Sequence, residues 1–125
     1  MAHSELSLAE QGQPQTVSIE DDGEAVYLDS ATTNVILITG QSGSNNFTLG
    51  KIKTLKAAGR KLRFHVRADQ TGFTARFDEA NNELQLIGSF AELGPGDTIE
   101  FLCLPADGGT DPTLVWTQIN ALNLT

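Results

Sequence analysis

The sequence predicts an all-β fold, and three observations carry that prediction. Short segments rich in Val, Ile, Leu, Phe and Thr recur along the chain, divided by turn signals at spacings of about 8–12 residues. Several of them alternate apolar and polar residues, the period of a half-buried strand. No stretch carries the 3.6-residue apolar period of a long amphipathic helix. About nine or ten short strands are expected from these signals. The expected architecture is a compact antiparallel sandwich, a barrel or a trimeric β-prism-like domain. Residues 1–15 read as an extended N-terminal arm and residues 16–125 as a single β domain.

Residues 1–15 are polar, include Pro14 and have Leu6, Leu8 and Ala9 as their apolar points after Ala2. Alternation begins at Thr16-Val17-Ser18-Ile19, and Ala25-Val26-Tyr27-Leu28 follows Asp22-Gly23, a favourable hairpin dipeptide. Asn34 to Thr39 is a continuous apolar, β-branched run closed by Gly40. Gln41 to Asn46 is a Gly/Ser/Asn loop, Phe47-Thr48-Leu49 a short strand, and Leu55 to Ala58 the one place that suggests a helical turn. Lys61 to Arg67 alternates cleanly: Leu62, Phe64 and Val66 share one face, and Lys61, Arg63, His65 and Arg67 the other. Gly72 to Phe77 and Glu83 to Ile87 are expected to pair around Asn81-Asn82. Leu93-Gly94-Pro95-Gly96-Asp97 is a turn, since Pro fixes one φ and Gly supplies a positive one. Thr98 to Leu104 places Ile99, Phe101 and Cys103 on one face and Leu102 and Leu104 on the other. A last strand covers Leu114 to Ile119 and contains Trp116.

The chain's 125 residues, 39% hydrophobic and 19% charged, suffice for one core. One cysteine permits no intrachain disulfide, and two histidines with one cysteine are too few for a His/Cys zinc site. No apolar run approaches the roughly 20 residues of a membrane-spanning helix, and residues 1–10 lack the basic start and apolar stretch of a signal peptide. A protein that stays in the compartment where it is made, with no membrane partner, is expected.

Charge is unevenly distributed. The net is −8, yet all eight basic residues lie between Lys51 and Arg76, and residues 1–50 and 77–125 hold acids with no Lys or Arg. Such a balance disfavours nucleic acid as a partner overall. The basic strand is expected to face acids of its own domain, of a neighbouring subunit or of an acidic protein surface, with Lys51, Lys53 and Lys56 as its neighbours.

Catalytic signatures are weak. Gly40-Gln41-Ser42-Gly43-Ser44 departs from the G-x-S-x-G elbow and lacks the Lys-Ser/Thr ending of a phosphate loop. Asp21-Asp22-Gly23-Glu24 lacks the full ladder of a calcium loop. His65 has no evident acid or nucleophile beside it, and Cys103 alternates with apolar residues as a buried small side chain does. No enzyme activity, cofactor or metal is expected.

The span from Tyr27 to Ile119 resembles small β-domains of tailed-phage virion proteins. The resemblance rests on Val35-Ile36-Leu37-Ile38-Thr39-Gly40, Ile52-Lys53-Thr54-Leu55, Gly59-Arg60-Lys61-Leu62-Arg63-Phe64, Gly94-Pro95-Gly96-Asp97-Thr98-Ile99-Glu100-Phe101 and Val115-Trp116-Thr117-Gln118-Ile119. These motifs are short, and similar ones occur in tail fibres and in capsid-decorating proteins. The resemblance implies a non-enzymatic homotrimer. The short N-terminal arm points to a head decoration (cement) protein, made in the host cytoplasm and bound to the major capsid protein on the virion surface. A tail-fibre or tail-tip module that binds a receptor or glycan is the alternative; a small jelly-roll hydrolase or lyase lacks the needed His/carboxylate set. The expected interface residues are Leu6 and Leu8 in the arm, Lys61, Arg63, His65 and Arg67 on the basic face, and Leu102, Leu104 and Trp116. Leu37 is a further apolar residue expected to be left over for an oligomer.

Overall fold

A computed structural model describes residues 14–79, 84–88, 90–106 and 113–122. Among these residues there is no helix, and eleven strands make three sheets, so the fold is all-β as the sequence predicts. The strands are β1 (Gln15–Ser18), β2 (Val26–Tyr27), β3 (Asn34–Ile38), β4 (Asn45–Thr48), β5 (Ile52–Lys53) and β6 (Lys61–Val66). They continue with β7 (Phe73–Asp78), β8 (Leu84–Gln85), β9 (Phe90–Leu93), β10 (Thr98–Pro105) and β11 (Leu114–Leu122). A six-stranded sheet runs β1-β3-β6-β10-β11-β8, a three-stranded sheet β4-β7-β9 and a two-stranded sheet β2-β5.

The expected antiparallel pairing is where sequence and structure part. Five ladders are parallel and three are antiparallel among the described residues. Gln15 lies against Val35 and Asn34 against Arg63 in one sheet, Asn45 against Phe73 in the second, and Val26 against Ile52 in the third. Each of these four parallel steps is one winding of the chain around a common core, in the manner of a short solenoid with repeats on the order of 20–30 residues, while the fifth parallel ladder joins β8 to β11 in the later part of the chain. After β7 the direction reverses: β9 returns antiparallel to β7, β10 antiparallel to β6, and β11 antiparallel to β10.

Two expected hairpins are therefore absent. Asp22-Gly23 does turn the chain, with Gly23 at φ 80°. It turns it around a corner, where Gly23 N–H donates to the Thr48 carbonyl (2.7 Å) and the Asp22 carboxylate accepts from Thr48 N–H (2.7 Å). β1 and β2 thus join different sheets instead of pairing with each other. Likewise β7 pairs with β4 and β9, while β8 pairs with β11; Asn81-Asn82 lies outside the described residues. Residues 55–58 form no helix, only a turn in which Arg60 N–H donates to the Ala57 carbonyl (3.0 Å). The turn at Gly94–Asp97 is present as expected, closed by Asp97 N–H to Gly94 O (3.0 Å) and by Gly94 N–H to the Asp97 carboxylate (2.8 Å).

The inner faces of the three sheets enclose one core. Leu62, Phe64 and Val66 of β6 and Ile99, Phe101 and Cys103 of β10 are all buried, as their alternation predicts. Phe64, Phe77 and Phe101 form a three-ring cluster with centroids 5.0–5.9 Å apart, which ties β6 and β7 of the wound part to β10 of the return. Rings in edge-on contact add about 0.5–1.5 kcal/mol per pair beyond their burial. Leu37 is fully buried in this core and supplies no oligomer surface. Gly50 sits where two windings touch: a Cβ there would lie 2.5 Å from the Gly23 carbonyl oxygen, so only glycine fits.

Candidate binding surfaces

The outer face of the six-stranded sheet gathers most of the side chains singled out from the sequence. Parallel register sets Ile36 of β3 beside His65 of β6, and antiparallel register sets Thr98, Glu100 and Leu102 of β10 beside His65, Arg63 and Lys61. Arg63 donates to one Glu100 oxygen through Nε (3.2 Å) and Nη2 (2.9 Å), and Asn120 Nδ2 donates to the other (3.1 Å). These hydrogen bonds, chiefly that from Arg63, hold the Glu100 carboxyl below the usual glutamate range. His65 Nδ1 is 2.9 Å from Thr98 Oγ1. Arg67 lies just beyond β6 and binds Asp69 at 2.6 Å, which lowers the Asp69 carboxyl and raises the guanidinium. The charges of Arg63 and Arg67 are thus relieved within the chain by Glu100 and Asp69. Shallow depressions of about 330 and 310 Å³ flank Arg63, one toward Lys61 and Glu100, the other toward Ile36, His65 and Thr98. Leu102 is half-buried and Leu104 exposed on the same face.

Trp116 is elsewhere. Cys103 and Trp116 are register partners on the inner side, and the indole is only 1% exposed, so it is a core residue and not an interface anchor. Alternation along β11 is what turns it inward, against Leu84 of β8. The Arg60 guanidinium stands 5.7 Å from its ring centroid, while the indole N–H finds no hydrogen-bond partner among the described residues. Leu6 and Leu8 lie outside the described residues.

Arg60 has a role that its sequence context hides. Its Nη1 donates to Thr54 Oγ1 (2.8 Å) and to the Leu55 carbonyl, and its Nη2 to the carbonyls of Asp29 (3.1 Å) and Thr32 (2.8 Å). One planar fork therefore binds the corner of the first winding to that of the second, geometry that an ammonium cannot reproduce. Burial lowers its pKa. Cys103 is buried close by, and burial pushes its thiol up, which disfavours a nucleophilic thiolate.

A second surface lies on β2 and β5. Tyr27 is 69% exposed because Val26 and Leu28, on either side of it, point inward. Register places it beside Lys53, and Lys51 lies on the same side as Lys53 across buried Ile52. Lys53, and Lys51 just before its strand, lie apart from the sheet that holds Lys61, Arg63 and His65, so only local alternation, not the basic window as a whole, builds each surface. A polar third surface on β4, β7 and β9 carries Asn46, Thr48, Thr74, Arg76 and Glu92 around a depression of about 300 Å³, with Arg76 3.5 Å from Glu92 and 3.8 Å from Asp78.

Among the described residues, no group of three or more His, Cys, Asp or Glu side chains converges as a metal site would require. No helix among them is long and apolar enough to cross a membrane. Comparison of the chain with protein-family models, with curated proteins and with solved structures returns no match.

Proposed function

We propose that this chain is a non-enzymatic structural protein of a tailed-phage virion, a decoration (cement) protein that binds the outer head surface as a homotrimer and stabilises the shell. The observation that carries the proposal is the outer face of the six-stranded sheet. There the Arg63–Glu100–Asn120 network and His65–Thr98 lie beside half-buried Ile36, Ile38 and Leu102 and exposed Leu104. Ordered charge next to partly exposed aliphatic groups suits a protein–protein contact, in which paired charges set register and buried aliphatics contribute affinity. The major capsid protein and neighbouring subunits are the partners this reading assigns to that face. The sequence motifs from Tyr27 to Ile119 support the virion setting.

Native mass measurement and co-sedimentation with purified empty capsids test it together. A trimer that saturates capsids, with binding lost in Arg63→Glu/Leu104→Glu, is the expected result. A monomer at micromolar concentration that ignores capsids would overturn it. The parallel winding favours a second reading, a tail-fibre or tail-tip module: β1 ends the six-stranded sheet, and stacked windings can be extended by a further one. Binding to host cells or surface glycans, without capsid binding, would select that reading.

A further inference from the structure

We infer that the corner formed by Tyr27, Lys51, Lys53 and Leu55 is a docking site for an extended acidic segment of a partner protein. This goes beyond the proposed virion role and does not depend on it. The starting point is a contrast between the arginines and the pair Lys51 and Lys53. Every arginine is engaged within the chain: Arg60 by carbonyls, Arg63 by Glu100, Arg67 by Asp69, and Arg76 by Asp78 and Glu92. Lys51 and Lys53 are exposed and make no ion pair or side-chain hydrogen bond with any described residue.

The nearby acids do not neutralise them. Glu24, on the adjacent winding, spends its carboxylate on the backbone amides of Glu20 (3.0 Å) and Asp21 (3.2 Å). Asp29, which follows Leu28 on that winding, makes no ion pair with either lysine among the described contacts. The repulsion is felt instead by Lys56, whose ammonium is lowered by burial and further by Lys51 and Lys53. Concentrated positive charge on a chain of net −8 is a local feature that a partner's anions would relieve.

The chemistry of the partner follows from geometry. Lys51 and Lys53 alternate along an extended segment, so their side chains are separated by about 6.6–7 Å. Carboxylates at alternate positions of another extended chain have the same spacing. Tyr27 and Leu55, 69% and 62% exposed, flank the lysines and offer apolar contact to the residues between those carboxylates. The floor is held in place, because Arg60 grips the Leu55 carbonyl and the Thr54 hydroxyl. A nucleic-acid duplex fits less well, since the chain's net charge repels it and the arginine forks suited to phosphate are already engaged. A second copy fits less well too: of its alternating acids, Glu20, Asp22 and Glu24 are bound to backbone amides in their own corner.

The test uses the full chain and a fluorescent 12-residue peptide of alternating Glu and Thr, read by anisotropy at about 0.05 M and 0.15 M salt. Saturable binding is expected, weakened at least about tenfold in Lys51→Glu/Lys53→Glu and several-fold in Tyr27→Ala, and unchanged in Arg63→Gln. Amide chemical shifts should move at Tyr27 and at Lys51 to Leu55. All three variants alter exposed side chains, and their melting temperatures check that they fold. Absence of saturable binding, or equal binding by the double variant, would overturn the inference. So would tighter binding to a 12-mer oligonucleotide or to anionic lipid vesicles, or self-association that the double variant abolishes.

Discussion

The wound part of the molecule, Gln15–Asp78, and the return part, Phe90–Leu122, are made of similar strands held together in different ways. In the return, β10 lies between β6 and β11 over most of its length, and a tight turn at Gly94–Asp97 leads into it. In the wound part the strands are shorter, and each ladder joins residues one winding apart. Its corners interrupt the ladders and leave amides and carbonyls that side chains must satisfy. Glu20 accepts from Gly40 N–H (3.0 Å), Gln70 from Thr39 N–H (2.8 Å), and Arg60 donates to the Asp29 and Thr32 carbonyls. The lesson is that polar side chains at the corners are structural throughout the wound part, whereas among the described residues of the return, ladder hydrogen bonds and apolar packing predominate, with Asp97 satisfying the Gly94 amide at its turn.

The largest effect is expected where the two parts meet. Phe64→Ala removes a ring that contacts Phe77 of the wound part and Phe101 of the return. It should cost about 3–5 kcal/mol in urea denaturation. Fluorescence of Trp116 in the return and circular dichroism of the whole chain should show one coincident transition. Separate transitions would mean that the two parts fold independently. Gly50→Ala acts within the wound part alone, pushing a Cβ against the Gly23 carbonyl and the Glu24 backbone. A loss of about 1–3 kcal/mol is expected, with amide-exchange protection falling first at Val26 and Ile52.

Arg60→Lys should cost about 1–3 kcal/mol, because a lysine cannot satisfy the same separated carbonyls. Its effect should appear as faster amide exchange around Thr32 and Thr54 while β10 and β11 stay protected. Equal loss of protection in both parts would show that the corner is not where stability is held. The smallest effect belongs to Glu100→Gln. The Arg63–Glu100 pair is partly exposed, so the change should be about 0–1 kcal/mol. Its sign with pH is fixed. The folded-state carboxyl is held below its unfolded value, so its contribution is complete above the ordinary glutamate range and is lost as pH falls through the folded value. The difference between wild type and Glu100→Gln in thermal melts should therefore shrink on acidification.

These contrasts also explain what could be read from the residues beforehand. Alternation in Lys61–Arg67 and Thr98–Leu104 assigned inward and outward faces correctly, because a strand's period depends only on local geometry. Pairing partners are not local. Asp22-Gly23 suits a hairpin and a solenoid corner equally, since both need a residue with positive φ, and nothing in the dipeptide says which strand follows in space. Trp116 is a residue whose side the sequence does not fix, because a large aromatic fits an interface as well as a core and Val115 beside it is equally apolar; the structure places it in the core. The exposure of Tyr27 is not legible in Ala25-Val26-Tyr27-Leu28, which is apolar throughout, and emerges only from the structure. Its proximity to Lys53 is not legible either, because it depends on the parallel β2–β5 register. Arg60 offered no signal, since its partners are backbone carbonyls distant in sequence.

That register decides both the winding and the lysine corner, and nuclear Overhauser contacts in the isotopically labelled full chain read it directly. Contacts between Tyr27 and Lys53, between Val26 and Ile52 and between Val17 and Leu37 are expected, with none joining Val17 to Val26. A cross-strand set linking residues 16–19 to residues 25–28, with no contact from Tyr27 to Lys53, would establish the hairpin in place of the winding and dissolve the corner with it.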